Sequence, residues 1–327
     1  MKRHDIRALA DEAYQILDDF DSDAAALRAM EVLENAPKDL ESYLLLAEVA
    51  EEKERFELAL NWINQGLLLN PDNEALLLKK AAILLDNFEE VDEGFPILYA
   101  LKQRFCDKTI SELKKIYDEE LLLDVYLLLA DCYRLQNNYN LAFDNALAAK
   151  EIAPEDETAL LALATAHFEL GEYTKALSLI EPIESHQEIS DFYWLKGQIK
   201  LAMRDFIAAD EAFLNANKID RTRYHRPIRT TQSCFFSAFE QASLALPKEI
   251  RDFMNNASIE IKDIVPIEWV KESQGSLSPL ALIYAPIGKN TVYLFHKNIE
   301  NLALKKGELR DLVASALLHE LGKLMLI

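Results

Sequence analysis

The stretch Leu40–Asn73, LESYLLLAEVAEEKERFELALNWINQGLLLNPDN, decides the fold. Apolar or small residues recur in it three or four positions apart, in two runs that the polar segment Glu52-Lys53-Glu54 separates. This pattern predicts two amphipathic helices joined by a tight turn, with a proline that prevents the second helix from continuing. The first run is Tyr43, Leu46, Ala47 and Ala50, and the second is Ala59, Ile63 and Gly66, followed by Pro71.

The same spacing returns along the chain. Leu123–Asp156 repeats the offsets over 34 residues, further copies start near Glu157 and Ser190, and weaker copies cover about residues 6–37 and 73–101. Alanine or glycine occupies the eighth and twentieth positions of the clear copies, where a small side chain lets two helix axes approach closely. A fixed period of this length predicts a solenoid of stacked helix pairs. We interpret Lys102–Glu120, which interrupts the period, as a lengthened helix with an insertion.

A 34-residue helix–turn–helix period with this pattern resembles the tetratricopeptide repeat family. The resemblance covers residues 1–220 in about six units and implies an α-solenoid whose first helices line a concave groove that binds a polypeptide. In the family, the second, fifth, ninth and twelfth positions of each unit line the groove. The corresponding residues here are Glu41, Leu44 and Glu48; Asp124, Leu127 and Asp131; Thr158, Leu161 and Thr165; and Asp191, Trp194 and Gln198.

The net charge of −21 is concentrated in the repeats: residues 1–220 carry 21 Lys/Arg and 45 Asp/Glu, and residues 221–327 carry 14 and 11. Such a surface repels phosphates, so we expect no nucleic-acid partner. Acidic residues recur at the groove positions with an apolar residue between them. They favour a protein or peptide partner with basic and apolar side chains, whose binding salt would weaken. The alternative is that these residues only form the solvated faces of helices.

A basic segment follows the repeats. Four arginines fall between Arg221 and Arg229, and we assign residues 221–232 to a basic linker. A solvated linker is one interpretation, and a small anion site or a contact with the acidic repeats are the others.

The last hundred residues lack the repeat and predict a small α+β domain over residues 233–327. A helix is expected around Phe235–Leu246, and alternation in Ser258–Val265 predicts a half-buried strand. Leu280–Ala285 and Thr291–His296 are two more strand candidates, with a turn sequence between them. Asn298–Lys305 and Glu308–Ile327 are predicted to be helical.

The tetrad His319-Glu320-Leu321-Gly322 is half of an HExxH sequence, in which two histidines one turn apart hold Zn²⁺ and the glutamate activates water. With the preceding strands, it resembles small zincin-like metallopeptidase domains. The resemblance implies that His319 is a metal ligand and Glu320 the general base. Lys323 stands where the second histidine belongs, and an ammonium there would repel zinc. We therefore expect a degenerate site without metal or cofactor, in which His319 is the only plausible ligand.

No apolar stretch is long enough to cross a membrane, and the N-terminal residues lack a secretory signal. The three cysteines are scattered, which favours a reduced, cytoplasmic protein. Together the features predict a protein-binding repeat scaffold with an acidic concave groove and an inactive metallopeptidase-like domain that caps the repeats or docks a partner. The alternatives are a zinc metallopeptidase whose repeats select the substrate and a chaperone-like assembly factor. Nothing in the sequence predicts the oligomeric state.

Overall fold

The computed structural model describes residues 9, 12–13, 15–17, 21–88, 91–105, 108–182, 189–273, 277–286 and 291–325, without the side chains of 323–325. The chain divides into two compact units. The first comprises Met1–Cys132 together with Glu151–Pro154, and the second comprises Tyr133–Lys150 together with Glu155–Ile327.

The first unit consists of helices, and capping side chains fix the starts of three of them. Asp21, Asp39 and Asn73 each accept a hydrogen bond from a backbone N–H of the turn that follows, which satisfies a donor with no intrahelical partner. The helices are α1 (Ser22–Asn35), α2 (Leu40–Glu52), α3 (Phe56–Leu69), α4 (Glu74–Asp86), α5 (Val91–Gln103), the short α6 (Ile110–Leu113) and α7 (Glu119–Leu135), whose last three residues belong to the second unit.

The second unit contains the remaining repeat helices and the C-terminal domain. Its repeat helices are α8 (Tyr139–Ile152), whose last two residues belong to the first unit, α9 (Glu157–Glu169), α10 (Tyr173–Ile180), α11 (Ser190–Ala202) and α12 (Phe206–Ile219).

The small residues of the repeat are buried where helices meet. In the first unit, a Cβ atom added to Gly66 would lie 2.6 Å from a methyl carbon of Leu76, and in the second unit one added to Gly197 would lie 2.6 Å from the ring of Phe213. Larger side chains would therefore push these helices apart. The sequence prediction for the eighth and twentieth positions is confirmed, since all of these residues are buried: Ala47, Ala59, Ala130, Ala142, Ala164, Ala176, Gly197 and Ala209.

The turn between the two helices of a repeat has the same backbone conformation in the four clear copies. Glu54, Asn137, Gly171 and Arg204 have φ values of 54°, 57°, 74° and 64°. Each of them is the fifteenth residue of its copy, counted from Leu40, Leu123, Glu157 and Ser190. Because the left-handed conformation is strained for residues other than glycine, its recurrence at one position confirms the period independently of side-chain packing.

The interpretation of Lys102–Glu120 as a lengthened helix is wrong. Helix α5 ends at Gln103, α6 follows after a break, and α7 begins at Glu119. Thr109 starts the new helix because its backbone N–H donates to the Glu112 carboxylate at 2.8 Å, in a capping box. The ring of Phe105 turns into the core and lies 4.9 Å from that of Tyr117.

The C-terminal domain has its own sheet and core. The elements are α13 (Gln232–Ala245), α14 (Lys248–Asn256), β1 (Ser258–Lys262), α15 (Ile267–Glu272), β2 (Ile283–Tyr284), β3 (Thr291–Phe295), α16 (His296–Leu302), a 3₁₀ turn (Lys306–Glu308) and α17 (Leu309–Met325). The sheet has the order β1-β3-β2, with β1 parallel and β2 antiparallel to β3, and α13 and α17 pack against each other. Phe235, Phe239, Leu294, Val313 and Leu317 are among the core residues of this domain.

Some predicted bounds in this domain need correction. Strand β1 ends at Lys262, because Ile264 and Val265 leave the ladder and are buried in other clusters. The second strand is reduced to Ile283–Tyr284, the helix expected from Asn298 begins at His296, and α15 was not predicted. Most of the predicted turn between β2 and β3, residues 287–290, lies outside the described residues.

The C-terminal domain covers apolar surface of the last repeats. Ile264 is 3% exposed and belongs to one cluster with Leu201, Ala209 and Phe213. This cluster joins the C-terminal domain to the last repeat through apolar contact.

Two Gly→Ala substitutions, one at the turn position and one in a helix, should change the free energy of unfolding in opposite directions. Gly171→Ala should lower the free energy of unfolding by about 1–2 kcal/mol, because Gly171 has a left-handed φ. Gly322→Ala should raise it by about 0.5–1 kcal/mol, because nothing lies within 4 Å of the new methyl group on helix α17. Urea denaturation of the two variants measures both, and a stabilising Gly171→Ala would contradict the assignment.

Candidate functional site

Acidic side chains gather on the first helices of the repeats in the first unit. Burial and the nearby carboxylates Glu51 and Glu120 raise the pKa of Glu48 above its usual range, against the lowering effect of Lys79. Burial and Asp131 likewise raise the pKa of the Asp86 carboxyl. These carboxylates lie on α2, α4 and α7 and are close enough to raise one another's pKa values. We call the surface that they form the acidic face.

The predicted groove residues fall on exposed or half-buried positions. Glu41 and Asp131 are exposed, whereas Leu44, Asp124 and Leu127 are half-buried. In the second unit, Thr158 is exposed, and the Thr165 hydroxyl donates to the Leu161 carbonyl at 2.8 Å. The other predicted groove residues of this unit are half-buried: Leu161, Thr165, Asp191, Trp194 and Gln198.

Sequence reasoning missed part of the acidic face. Glu51 occupies the twelfth position of its repeat, which the family pattern assigns to the groove, and it forms a 2.7 Å ion pair with Lys79. Asp86 lies in the copy whose register was uncertain. The position of Glu51 in the acidic face could therefore have been predicted from the repeat spacing, whereas that of Asp86 could be found only in the structure.

The chain itself covers Asp191 and Trp194. An Nη1 atom of Arg223 lies 3.0 Å from a carboxylate oxygen of Asp191, and the Tyr224 hydroxyl donates to the same carboxylate. The Tyr224 ring stacks on that of Trp194, with centroids 4.9 Å apart and planes 27° apart. Burial and the bond to Asp191 raise the pKa of the Tyr224 phenol. The acidic and the aromatic side chain of α11, one helical turn apart, thus bind a basic residue and the aromatic residue that follows it in the chain.

Two of the four arginines of the basic segment, Arg223 and Arg229, bind acidic repeat residues. The guanidinium of Arg229 donates from Nε to Asp210 on α12 at 2.9 Å and from Nη1 to Asn301 on α16 at 3.0 Å. Of the alternatives from sequence, the contact with the acidic repeats is the one present in the structure.

A buried carboxylate anchors the end of this segment. Burial would raise the pKa of Glu300, but hydrogen bonds from His296 and Thr230 lower it to about 2. The Nε2 atom of His296 lies 2.9 Å and the Lys297 ammonium 3.0 Å from its oxygens. His296 is thus a buried histidine with its hydrogen-bond partners supplied, and its ring packs against Phe235.

His319 and Glu320 border a cavity of about 450 Å³ in the second unit. The side chain of Lys323, which decides how far the zincin pattern is lost, lies outside the described residues. Repeat residues form the other part of the cavity wall. The lining is Arg134, Leu135, Asn137, Tyr139, Glu169, Ser278, Leu280, Ala281, Leu282, Ile283, Ala316, His319 and Glu320.

The buried Glu169 sets the electrostatics of this cavity. It is 4% exposed, and the Ser278 hydroxyl donates to its Oε2 at 2.8 Å. Burial raises the pKa of Glu169 to about 7, although the bond from Ser278 and the charge of Arg134 lower it. A carboxyl that titrates near neutrality beside a cleft is typical of functional sites.

The described residues do not make up a catalytic zinc site. No three histidine, cysteine, aspartate or glutamate side chains among them lie together as metal ligands do, and catalytic zinc uses three protein ligands. His319 is exposed at the cavity rim.

The described helix pairs define the class: a tetratricopeptide-type α-solenoid with a small α+β domain. Residues 40–73 match the tetratricopeptide repeat family, and the chain carries tetratricopeptide repeats. No curated protein matches it in sequence.

Two solved structures share the solenoid fold. PilF of Pseudomonas aeruginosa aligns over 66% of this chain and 92% of its own, with 15% identity and a TM-score of 0.53. PilW, described as a widely conserved type IV pilus biogenesis factor, aligns over 67% and 94%, with 17% identity and a TM-score of 0.55. Among the described residues, no helix combines the length and apolar character that crossing a bilayer requires.

Removing the Glu300 charge should destabilise the C-terminal domain. Because the folded pKa lies below the unfolded one, Glu300 stabilises the fold above pH 4.5, and this contribution of about 3 kcal/mol is lost as pH falls towards 2. Urea titrations should therefore show that Glu300→Gln is less stable than the wild type at pH 7. The free energies of unfolding of the two proteins should become equal as the pH falls towards 2. Glu249→Gln, at an exposed position, is the control and should change stability little at either pH.

Glu169→Gln should have the opposite pH dependence. Because burial raises the folded pKa to about 7, wild-type stability falls as pH rises from about 4.5 to 7. The variant should be more stable than the wild type by about 3 kcal/mol at pH 8, and the difference should fall below about 1 kcal/mol at pH 5. Equal stability of both proteins at pH 8 would contradict the burial of an ionisable Glu169.

Proposed function

We propose that this chain is a protein-binding repeat scaffold whose acidic first helices recognise a partner polypeptide with basic and apolar residues. The contact of Arg223 and Tyr224 with Asp191 and Trp194 carries the proposal. It is an example, within one molecule, of the second and fifth repeat positions binding a basic residue and an aromatic neighbour.

Other repeats carry the same pair of residue types. Glu41 with Leu44 and Asp124 with Leu127 place an acidic side chain and an apolar one three residues apart, as Asp191 and Trp194 do. Neighbouring carboxylates contribute, after burial, to the raised pKa values of Glu48 and Asp86, and a basic segment bound there would relieve that repulsion.

For the C-terminal domain, we propose a metallopeptidase-like fold without catalytic metal, which caps the solenoid. In this proposal the partner is a protein or peptide and not a nucleic acid or a membrane. We also propose that the protein acts in the cytoplasm. A zinc peptidase whose repeats select the substrate is the competing function, and metal content separates the two.

The peptide RTRYHRPIR, residues 221–229 of the chain, is a suitable probe for the acidic face. Its dissociation constant for the full chain should rise at least about tenfold between 50 and 300 mM NaCl, measured by fluorescence anisotropy, because exposed charges are screened. Glu48→Gln/Asp124→Asn/Asp131→Asn should weaken binding to a similar extent at low salt.

A matched control keeps the net charge of that triple variant. Glu34→Gln/Glu93→Gln/Glu211→Gln removes three exposed charges that do not occupy the predicted groove positions. If both triple variants bind the peptide equally, or if salt has no effect, the acidic face does not recognise it.

Metal analysis tests the C-terminal domain. We expect less than 0.1 equivalent of zinc in protein purified without chelators and no change on His319→Ala, because one imidazole cannot hold zinc tightly. Stoichiometric zinc that disappears with His319→Ala, together with a peptidase activity, would establish the competing function.

A further inference from the structure

The side chains of Arg223 and Tyr224 occupy the groove positions of the last repeat. The Tyr224 ring contacts the indole of Trp194, with centroids 4.9 Å apart, and the guanidinium carbon of Arg223, which lies 5.3 Å from the Tyr224 centroid. The same two side chains bind the Asp191 carboxylate, through the Tyr224 hydroxyl and through Nη1 of Arg223 at 3.0 Å. A partner side chain at the second and fifth positions of this repeat would therefore need the atoms that the chain's own residues already contact.

A turn at the end of α12 presents this pair of side chains to α11. A carboxylate oxygen of Asp220 accepts a hydrogen bond from the backbone N–H of Arg223 at 3.0 Å, and the Asp220 carbonyl accepts one from the N–H of Tyr224 at 3.1 Å. The side-chain amide of Asn217 donates to the Tyr224 carbonyl at 2.6 Å. Because these bonds join α12 to the residues that follow it, the backbone of the pair is held independently of its side-chain contacts with α11.

The ion pair with α11 is more exposed than the contacts that anchor the rest of the segment. The Arg223 and Asp191 side chains are 62% and 40% exposed, and ion pairs with this exposure contribute little to stability. Further along, Arg229 binds α12, His225 binds a carbonyl of α16 at 2.7 Å, and the Thr230 N–H donates to a buried carboxylate of α16. The segment therefore stays attached to its domain when the side chains of Arg223 and Tyr224 leave α11.

We propose that Arg223 and Tyr224 are an intramolecular ligand that closes the last repeat, so that a partner polypeptide reaches Asp191 and Trp194 only by displacing them. The inference rests on the proposed function, since it takes the second and fifth repeat positions to bind the partner. A ligand tethered by a short piece of chain competes at an effective concentration on the order of millimolar. A partner that contacts only this repeat is then excluded, whereas one that already binds other repeats, and carries a basic residue followed by an aromatic one, competes as a tethered ligand itself.

Removing the two side chains should open the last repeat. The peptide RTRYHRPIR, labelled with fluorescein and titrated with the full chain at 50 mM NaCl, should bind Arg223→Ala/Tyr224→Ala at least about tenfold tighter than the wild type in fluorescence anisotropy. Adding Asp191→Asn to the double variant should remove this gain, because the peptide then loses its carboxylate partner. Alanine in place of the tyrosine of the peptide should remove it as well, because the stack on Trp194 is lost.

Arg221→Ala is the matched control, because it removes one positive charge from an exposed position of the same segment. It should bind the peptide like the wild type. Circular dichroism establishes that each variant is folded, and if the double variant is not, Arg223→Ala alone should tighten binding about threefold. The proposal is overturned if the double variant, or Arg223→Ala in its place, binds the peptide like Arg221→Ala, or if the gain persists with Asp191→Asn.

The wild-type chain separates this inference from the proposed function. If the wild type binds the peptide through the acidic face, with the expected salt dependence, and the double variant binds it no more tightly, only the intramolecular ligand is refuted. If neither the wild type nor the double variant binds the peptide, the proposed function fails together with it.

Discussion

The close approach of paired helices is the constraint on which the repeat structure depends. Gly197 against Phe213 and Gly66 against Leu76 leave no room for a Cβ atom, so the helix pairs meet at fixed positions. Once the small residues fix the contact face, the other faces are fixed as well. Acidic residues at constant offsets from them, such as Glu48 and Asp131 in the first unit, then fall on a common surface, and the acidic face is a consequence of helix packing.

The uneven charge of the sequence also has a local structural meaning. The arginines after the repeats bind acidic residues of the last repeat, Arg223 with Asp191 and Arg229 with Asp210. Because Arg229 also contacts Asn301, the same side chain joins α12 to the C-terminal domain. The buried Glu300 holds the adjacent Thr230, so the basic segment is a structural connection whose charges are paired at both ends.

The repeats could be predicted from the sequence because each clear copy has the same spacing of small and apolar residues. The structure adds a left-handed residue at the same position of the turn, as at Glu54 and Arg204. Outside the period, single signals competed. The sequence of Lys102–Glu120 favoured a lengthened helix, but the capping box at Thr109 begins a new one. Strand β1 was extended to Val265 by its alternation, whereas Ile264 packs against the last repeat, a contact that a linear pattern does not contain.

The candidate cavity shows the same limit for chemistry. The sequence directed attention to His319 and Glu320, which are adjacent in a recognisable tetrad. Burial raises the pKa of Glu169 to about 7, but this residue lies 150 positions before His319 on a repeat helix. Its sequence neighbours are typical of an ordinary surface glutamate. It becomes buried because the loop carrying Ser278 packs over it. A tertiary contact therefore gives Glu169 its raised pKa, and the chemistry of the cavity belongs to the repeats and the C-terminal domain together.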